Sequence, residues 1–194
     1  MPKVVDRERR RGDLARAAAR VIARIGLEGV TVQAVAAEAE CSAGSIAHYF
    51  RNKDELLLHA LRSATEPLIH PLHEPTDAPR TIDSLRAIAR DSLPLDSARE
   101  RDWRVRLAFW TRASGPPEEV QLARAQLAEW RVLWESAIRA LQITGAIRGD
   151  ADPAESSSGI VAIILGTATH LLVRPRNGAR PADAIDSYLR ALAR

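Results

Sequence analysis

The stretch "CSAGSIAHYFRNKDELL", residues 41–57, sets a serine, a glycine, a histidine and a tyrosine in one short run and follows them with a lysine. Ser42 is placed to cap a helix over about 43–49, with Cys41 and Ile46 at the N′ and N4 positions of a hydrophobic staple. That gives the single cysteine a packing role. Upstream, Thr31 suits the N-cap of a short helix over 32–39, "VQAVAAEA", whose inward face is Val32, Val35, Ala36 and Ala39. Earlier still, Leu14, Ala18, Val21, Ile22 and Ile25 form a helical stripe over roughly 7–25. It stops at Gly26, a residue suited to a left-handed C-terminal cap. Downstream, a helix is expected from Asn52, where "NKDE" puts Glu55 in a capping-box-like position. Its buried stripe is Leu56, Leu57, Ala60, Leu61 and Ala64.

Two short helices joined by a tight turn and braced by a longer helix on each side read as a helix-turn-helix unit. In that motif the second helix enters the DNA major groove and its N-terminal residues meet base edges. The residue types fit. Small side chains at Ala43, Gly44 and Ala47 allow close approach of the backbone to a groove. The hydroxyls of Ser42, Ser45 and Tyr49, together with His48 and Lys53, can donate to phosphates, and helix N-termini add backbone N–H groups.

Charge supports the same end of the chain. Residues 1–63 hold 11 Lys/Arg against 8 Asp/Glu, while residues 64–194 hold 17 of each. All of the formal +3 excess therefore lies in the first third, a footprint suited to nucleic acid. The plainer reading is a solvated arginine-rich helix, since only two of the 28 basic residues are lysine. The 194 residues are 46% hydrophobic and 4% aromatic, without alternating β-branched runs, so an all-α fold with a substantial core is expected. The lone cysteine and the opening "MPKVVDRERRRGDL", which lacks the apolar core of a signal peptide, point to the cytoplasm. The longest apolar run, 159–173, falls short of the ~20 residues of a membrane span, so no membrane is expected.

Prolines at 67, 71, 75 and 79 predict a hinge or linker over 67–79. A DNA-binding domain over 1–66 is thereby separated from a larger helical domain over 67–194. In the latter, helices are expected at about 80–93, 97–113, 117–144, 154–173 and 181–193. Trp103, Phe109 and Trp110 fall in one segment, Trp130 and Trp134 in another, and the spacings put each tryptophan pair on one helix face. They form either an aromatic-walled ligand cavity or simply the core. The small residues Ser158, Gly159, Ala162 and Gly166, with the stripe Ala184, Ile185, Tyr188, Leu189 and Leu192, suit an intersubunit four-helix bundle; burial inside one subunit is the other reading.

Residues 10–60, "GLEGVTVQAVAAEAECSAGSIAHYFRNKDELL" above all, resemble the DNA-binding domain of the TetR family of bacterial transcriptional regulators. The resemblance implies phosphate contacts from Thr31, Ser42, Ser45, Tyr49 and Lys53, and base-facing positions at Gln33, Ala43, Gly44 and Ala47. His48 could reach either. There are departures: Glu40 stands where the family usually has a turn glycine, Cys41 where it has valine, and Ala47 where many members have tyrosine. "RLAFWTRA", "GSIAHYF" and "HLLVRPRN…DAIDSYLRAL" are similar to the BetI-like subgroup, whose best-known member responds to choline. This implies a homodimer on a palindromic DNA operator, released by a small-molecule effector that is cationic or aromatic. Asp102, Glu129 and Glu135 could assist a cation, or pair with neighbouring arginines.

Other classes find little support. His70 and His73 do not complete a metal site with three or four ligands, and "G-x-S-x-G" and glycine-rich phosphate loops are absent from the sequence. No catalytic residue, metal or cofactor is expected. A ligand-independent architectural DNA binder is the nearer alternative.

Overall fold

The computed structural model describes residues 2–73, 81–111, 115–173 and 183–193, with side chains from residue 6 onward. They form α1 (Pro2–Ile25), α2 (Val32–Glu38), α3 (Ala43–Tyr49), α4 (Lys53–His73), α5 (Ile82–Asp91), α6 (Ser97–Trp110), α7 (Pro117–Ile143), α8 (Pro153–Val173) and α9 (Asp183–Leu192). No strand occurs among the described residues; a single bridge pairs Ile147 with Ala193. The all-α expectation holds.

Local chemistry sets most of the helix ends. Thr31 Oγ1 accepts from Ala34 N at 3.0 Å and Ser42 Oγ from Ser45 N at 3.1 Å, both caps as expected. Gly26 closes α1 at φ +75°, where a Cβ would be strained. Asn52 Oδ1 accepts from Glu55 N at 2.8 Å and so caps α4. Glu55 does not return the bond to Asn52, however: its carboxylate takes the N–H of Arg51 instead, at 2.8 Å. At α5 the box is reciprocal, Thr81 and Ser84 each accepting the other's backbone N–H.

The proline-rich segment departs from its reading. Residues 67–73 are helical, and α4 runs through Pro67 and Pro71 to His73; residues 74–79 of the expected linker lie outside the described residues. Each proline removes one i→i−4 bond and crowds the carbonyl four residues back, a cost of roughly 3 kcal/mol in a helix interior. Their spacing of four puts both on one side of the helix, which leaves Leu61, Ala64, Leu68 and Leu72 as an unbroken buried stripe. That burial contributes ~1.5–3 kcal/mol per fully buried leucine, which is comparable with the cost of the two prolines.

The chain divides into two compact units, residues 1–66 with 101–124, and residues 67–100 with 125–194. The first has a continuous apolar core. Leu14, Val21 and Ile22 of α1, Val35 of α2, Ile46 of α3 and Leu57 and Leu61 of α4 meet Val105 and Phe109 of α6. In the second, α9 buries Ile185, Leu189 and Leu192 against α5 and α8, so these members of the stripe expected at an intersubunit face lie inside the subunit. Asp186, 3% exposed, receives the guanidinium groups of Arg86 and Arg90 from α5, and these hold its carboxyl below the usual range against the opposing effect of burial. Gly159 of α8 lies under the ring of Tyr188, whose hydroxyl would stand 2.3 Å from an added Cβ.

The 15-residue apolar run lies in α8, which begins one residue before the expected 154–173. Asp152 Oδ1 caps α8 by accepting from Ala154 N and Glu155 N, both at 2.8 Å, so the helix has 21 residues. Its most apolar 18-residue window has a mean hydropathy of 1.6, which by length and composition alone is enough to cross a membrane.

Candidate nucleic-acid interface and effector site

α2 and α3 are each seven residues long and would not persist alone. Tertiary contacts hold them. Ile46 and Phe50, both 2% exposed, anchor α3 in the core, and Cys41 packs beside them. Arg20 and Arg24 of α1 clasp Glu38 at 2.6 and 2.9 Å; these two bonds hold its carboxyl below the usual range. The turn between the helices passes through Glu40 at φ +51°, the position where the family's glycine is missing. Glu40→Gly is expected to stabilise the protein by about 0.5–1 kcal/mol, relief of the left-handed strain outweighing the extra freedom of the unfolded chain. A urea midpoint that rises at constant m would show it.

With the apolar side taken, the other side is free. Thr31, Gln33, Ser42, Gly44, Ala47, His48 and Lys53 are exposed, and Ala43, Ser45 and Tyr49 are half-buried. None of the ten is buried. The hydroxyls of Thr31 and Ser42 serve as cap acceptors; Thr31 keeps an O–H to donate outward, and Ser42 and Ser45, whose hydroxyl oxygens are 3.0 Å apart, keep one O–H between them. His48 and Tyr49 stand edge to face with centroids 5.2 Å apart, and Lys53 Nζ donates to Val30 O at 3.2 Å, which sets its stem across the start of α2.

One positioning residue escaped the sequence reading. Arg11 of α1 donates to Tyr49 O at the C-terminus of α3, to Glu55 Oε1 at 3.0 Å and to His59 Nε2 at 2.7 Å, while its guanidinium lies 4.5 Å from the Phe50 centroid. A cation here satisfies a helix-end carbonyl and fixes the pitch of α3. In sequence it was one of eight basic residues in the first 24, with nothing to distinguish it. Both of its titratable neighbours have their pKa values pushed down. The Arg51 backbone N–H and then the Arg11 bond hold the Glu55 carboxyl down to about 2; burial, then the charges of Arg11 and Arg62, push the His59 ring down against Glu55 and Glu8. His59 is thus neutral when it accepts from Arg11. Because the unfolded chain takes up these protons first, stability should fall as pH drops below about 6.5 through His59, and again from about 4.5 towards 2 through Glu55. Chemical denaturation across pH 4–8 should show the upper step in the wild type and lose it in His59→Gln.

The aromatic residues divide between the units. In the first, Trp103 is fully buried and meets the half-buried Trp110 edge to face, with centroids 6.0 Å apart and planes at 87°. Phe109, 2% exposed, packs into the core with α1–α4. In the second, Trp130 and Trp134 of α7 are 1% and 0% exposed, and the indole N–H of Trp134 meets no acceptor among the described residues. The carboxylates noted as possible cation partners are engaged elsewhere: Asp102 with Arg101 at 3.0 Å, Glu129 with His73 at 3.2 Å and Glu135 with Arg139 at 2.7 Å. Sequence reading also missed Arg106, one helical turn from Trp103 and only 1% exposed. Among the described residues no group of three His, Cys, Asp or Glu side chains is placed to hold a metal.

A capped recognition helix pinned at both ends, with small and hydrogen-bonding side chains along its free side, defines a helix-turn-helix DNA-binding protein. Residues 14–60 match the model of bacterial regulatory proteins of the TetR family, and residues 81–194 match that of the BetI-type transcriptional repressor C-terminal region. The chain is 33% identical over 173 residues to the HTH-type transcriptional regulator BetI of Burkholderia thailandensis, covering 86% of this chain and 83% of that one. It is 38% identical over 95 residues to the HTH-type transcriptional regulator PksA of Bacillus subtilis, where the match spans 48% of this chain and 40% of that one. A transcriptional regulator of Saccharomonospora viridis, solved in complex with choline, superposes with a TM-score of 0.75 at 26% identity over 95% of both chains. The chain belongs to the TetR family of bacterial transcriptional regulators, in its BetI-type branch. These proteins are regulators and not enzymes.

Proposed function

We propose that the protein is a cytoplasmic repressor that binds a palindromic DNA operator as a homodimer and leaves it when a small molecule binds the helical region beyond α4. The observation that carries the DNA reading is the two-sided character of α3 and its surroundings: Ile46 and Phe50 are buried, while the ten assigned residues, from Thr31 at the start of α2 to Lys53 at the start of α4, are all accessible. Thr31, Ser42, Ser45, Tyr49 and Lys53 would hold phosphates; Gln33, Ala43, Gly44 and Ala47 would face bases, with His48 able to serve either.

Dimerisation is supported by a row on α8. Ala162, Gly166, Thr169 and Val173 are exposed at spacings of four, three and four, Val173 at 76%, and Ala184, Ser187 and Ala191 form a similar small-residue row on α9. Two such rows from each copy would build a four-helix interface and set two recognition helices about 34–36 Å apart, as successive major grooves require. A Cβ on Gly166 meets nothing within 4 Å in the subunit. Gly166→Glu should therefore leave the subunit folded and weaken the dimer at least tenfold by sedimentation; an unchanged dimer would place the interface elsewhere.

The deciding experiment is fluorescence anisotropy on the DNA flanking the gene, over a salt series with a scrambled duplex as competitor. Specific binding with a steep negative salt slope is expected. Equal weak binding to both duplexes is what an architectural protein would give. Release requires an effector that binds the DNA-free conformation better than the DNA-bound one.

A further inference from the structure

Arg106 sits one turn after Trp103 on α6, with 1% of its surface exposed. Its Nε donates to Ala64 O at 2.8 Å, and its guanidinium lies 4.9 Å from the Trp103 centroid. Its Nη1 meets no acceptor among the described residues, and none of the ion pairs found there includes it. The carboxylate of Asp102, whose charge supports it, is paired with Arg101. A buried guanidinium held only by a neutral carbonyl and an aromatic face is a costly arrangement, because its charge is desolvated without a counter-charge. Burial pushes its pKa down to about 9 against the partial support of Asp102, so the group is still cationic at neutral pH.

Two consequences follow for a ligand in this unit. The Trp103 face that could receive a quaternary ammonium already holds the Arg106 cation, so a second cation would meet like charge there. The remaining donor is planar and charged, the type that pairs with carboxylates. We propose that Arg106 is the anion-binding residue of the effector site, and that the effector is a small carboxylate whose apolar body lies against Trp103 and Trp110. The proposal rests on the effector-responsive reading above and refines its chemistry, replacing the cationic ligand suggested by the subgroup resemblance.

The test uses the full-length protein without DNA, so that it is independent of operator binding, and matched probes that differ in head-group charge. Octanoate, octanamide and octyltrimethylammonium share one chain, as do phenylacetate and phenylacetamide. Isothermal titration should show the carboxylates binding at least tenfold tighter than their amides and the ammonium weakest. Arg106→Met keeps the length and apolar stem; it should bind carboxylates at least 30-fold more weakly and lose the preference over the amides. Arg106→Lys should restore part of that preference if charge is what matters. A wild type that binds carboxylates no better than amides, or that prefers the ammonium, overturns the proposal. So does an Arg106→Met protein that loses stability but keeps the carboxylate preference, which would make Arg106 a structural staple between α4 and α6. Failure of operator binding with carboxylate preference intact would overturn the regulator reading and leave the site standing.

Discussion

Gly44→Leu is expected to lower operator affinity by at least 100-fold, about 2.7 kcal/mol, in a protein whose stability is unchanged or improved. The free protein has room for the side chain, since a Cβ at Gly44 would meet only Ser42 Oγ, at 3.7 Å. Replacing glycine inside a helix also removes a penalty of about 1 kcal/mol. On DNA the situation reverses. Gly44 is exposed in the first turn of α3, where the motif brings the backbone closest to base edges, and an isobutyl group there holds the helix away from the groove. Because phosphate contacts depend on the same approach, loss should appear on both specific and scrambled duplexes. Anisotropy with each duplex, beside a thermal melt, separates this from unfolding. Full affinity in Gly44→Leu would mean that another part of the chain reads the DNA.

The second large effect concerns stability. Phe109→Ala should cost about 3–5 kcal/mol, the usual range for truncating a buried aromatic, and lower the melting midpoint by roughly 10 °C. Phe109 lies beyond the DNA-binding helices in sequence yet packs among Leu14, Ile22, Leu57 and Leu61. Its truncation opens a cavity under the scaffold that carries α3, so operator binding should fail at temperatures where the wild type still binds. A wall residue of a ligand pocket behaves otherwise, since its loss weakens effector binding and spares the fold. A melting midpoint within about 2 °C of the wild type, with altered effector affinity, would return Phe109 to the pocket.

Much of the site was open to inspection in the order of residues. Thr31, Ser42 and Asn52 cap the helices they precede because a cap needs a side-chain oxygen three positions before the N–H it accepts from, and that geometry is contained in four residues. The left-handed turn at Glu40 had a hint only in the family resemblance, where a glycine usually stands at that position. The inward stripes of α1–α4 were legible for the same reason, since apolar periodicity is a property of a single helix. Pro67 and Pro71 misled because their local cost is real, and burial of Leu68 and Leu72, which local sequence does not reveal, offsets much of it.

What the order of residues determined by itself, then, is the all-helical class, the helix-turn-helix with its caps and its accessible side, and the family. Tertiary structure decided the rest. Arg11 meets Tyr49 across 38 positions, Arg106 meets Ala64 across 42, and Arg86 meets Asp186 across 100. No periodicity or cap signals such pairs, since each arginine looks locally like any solvated one. Their roles come from burial and from which partners the fold brings within reach, and those are settled only when the helices pack.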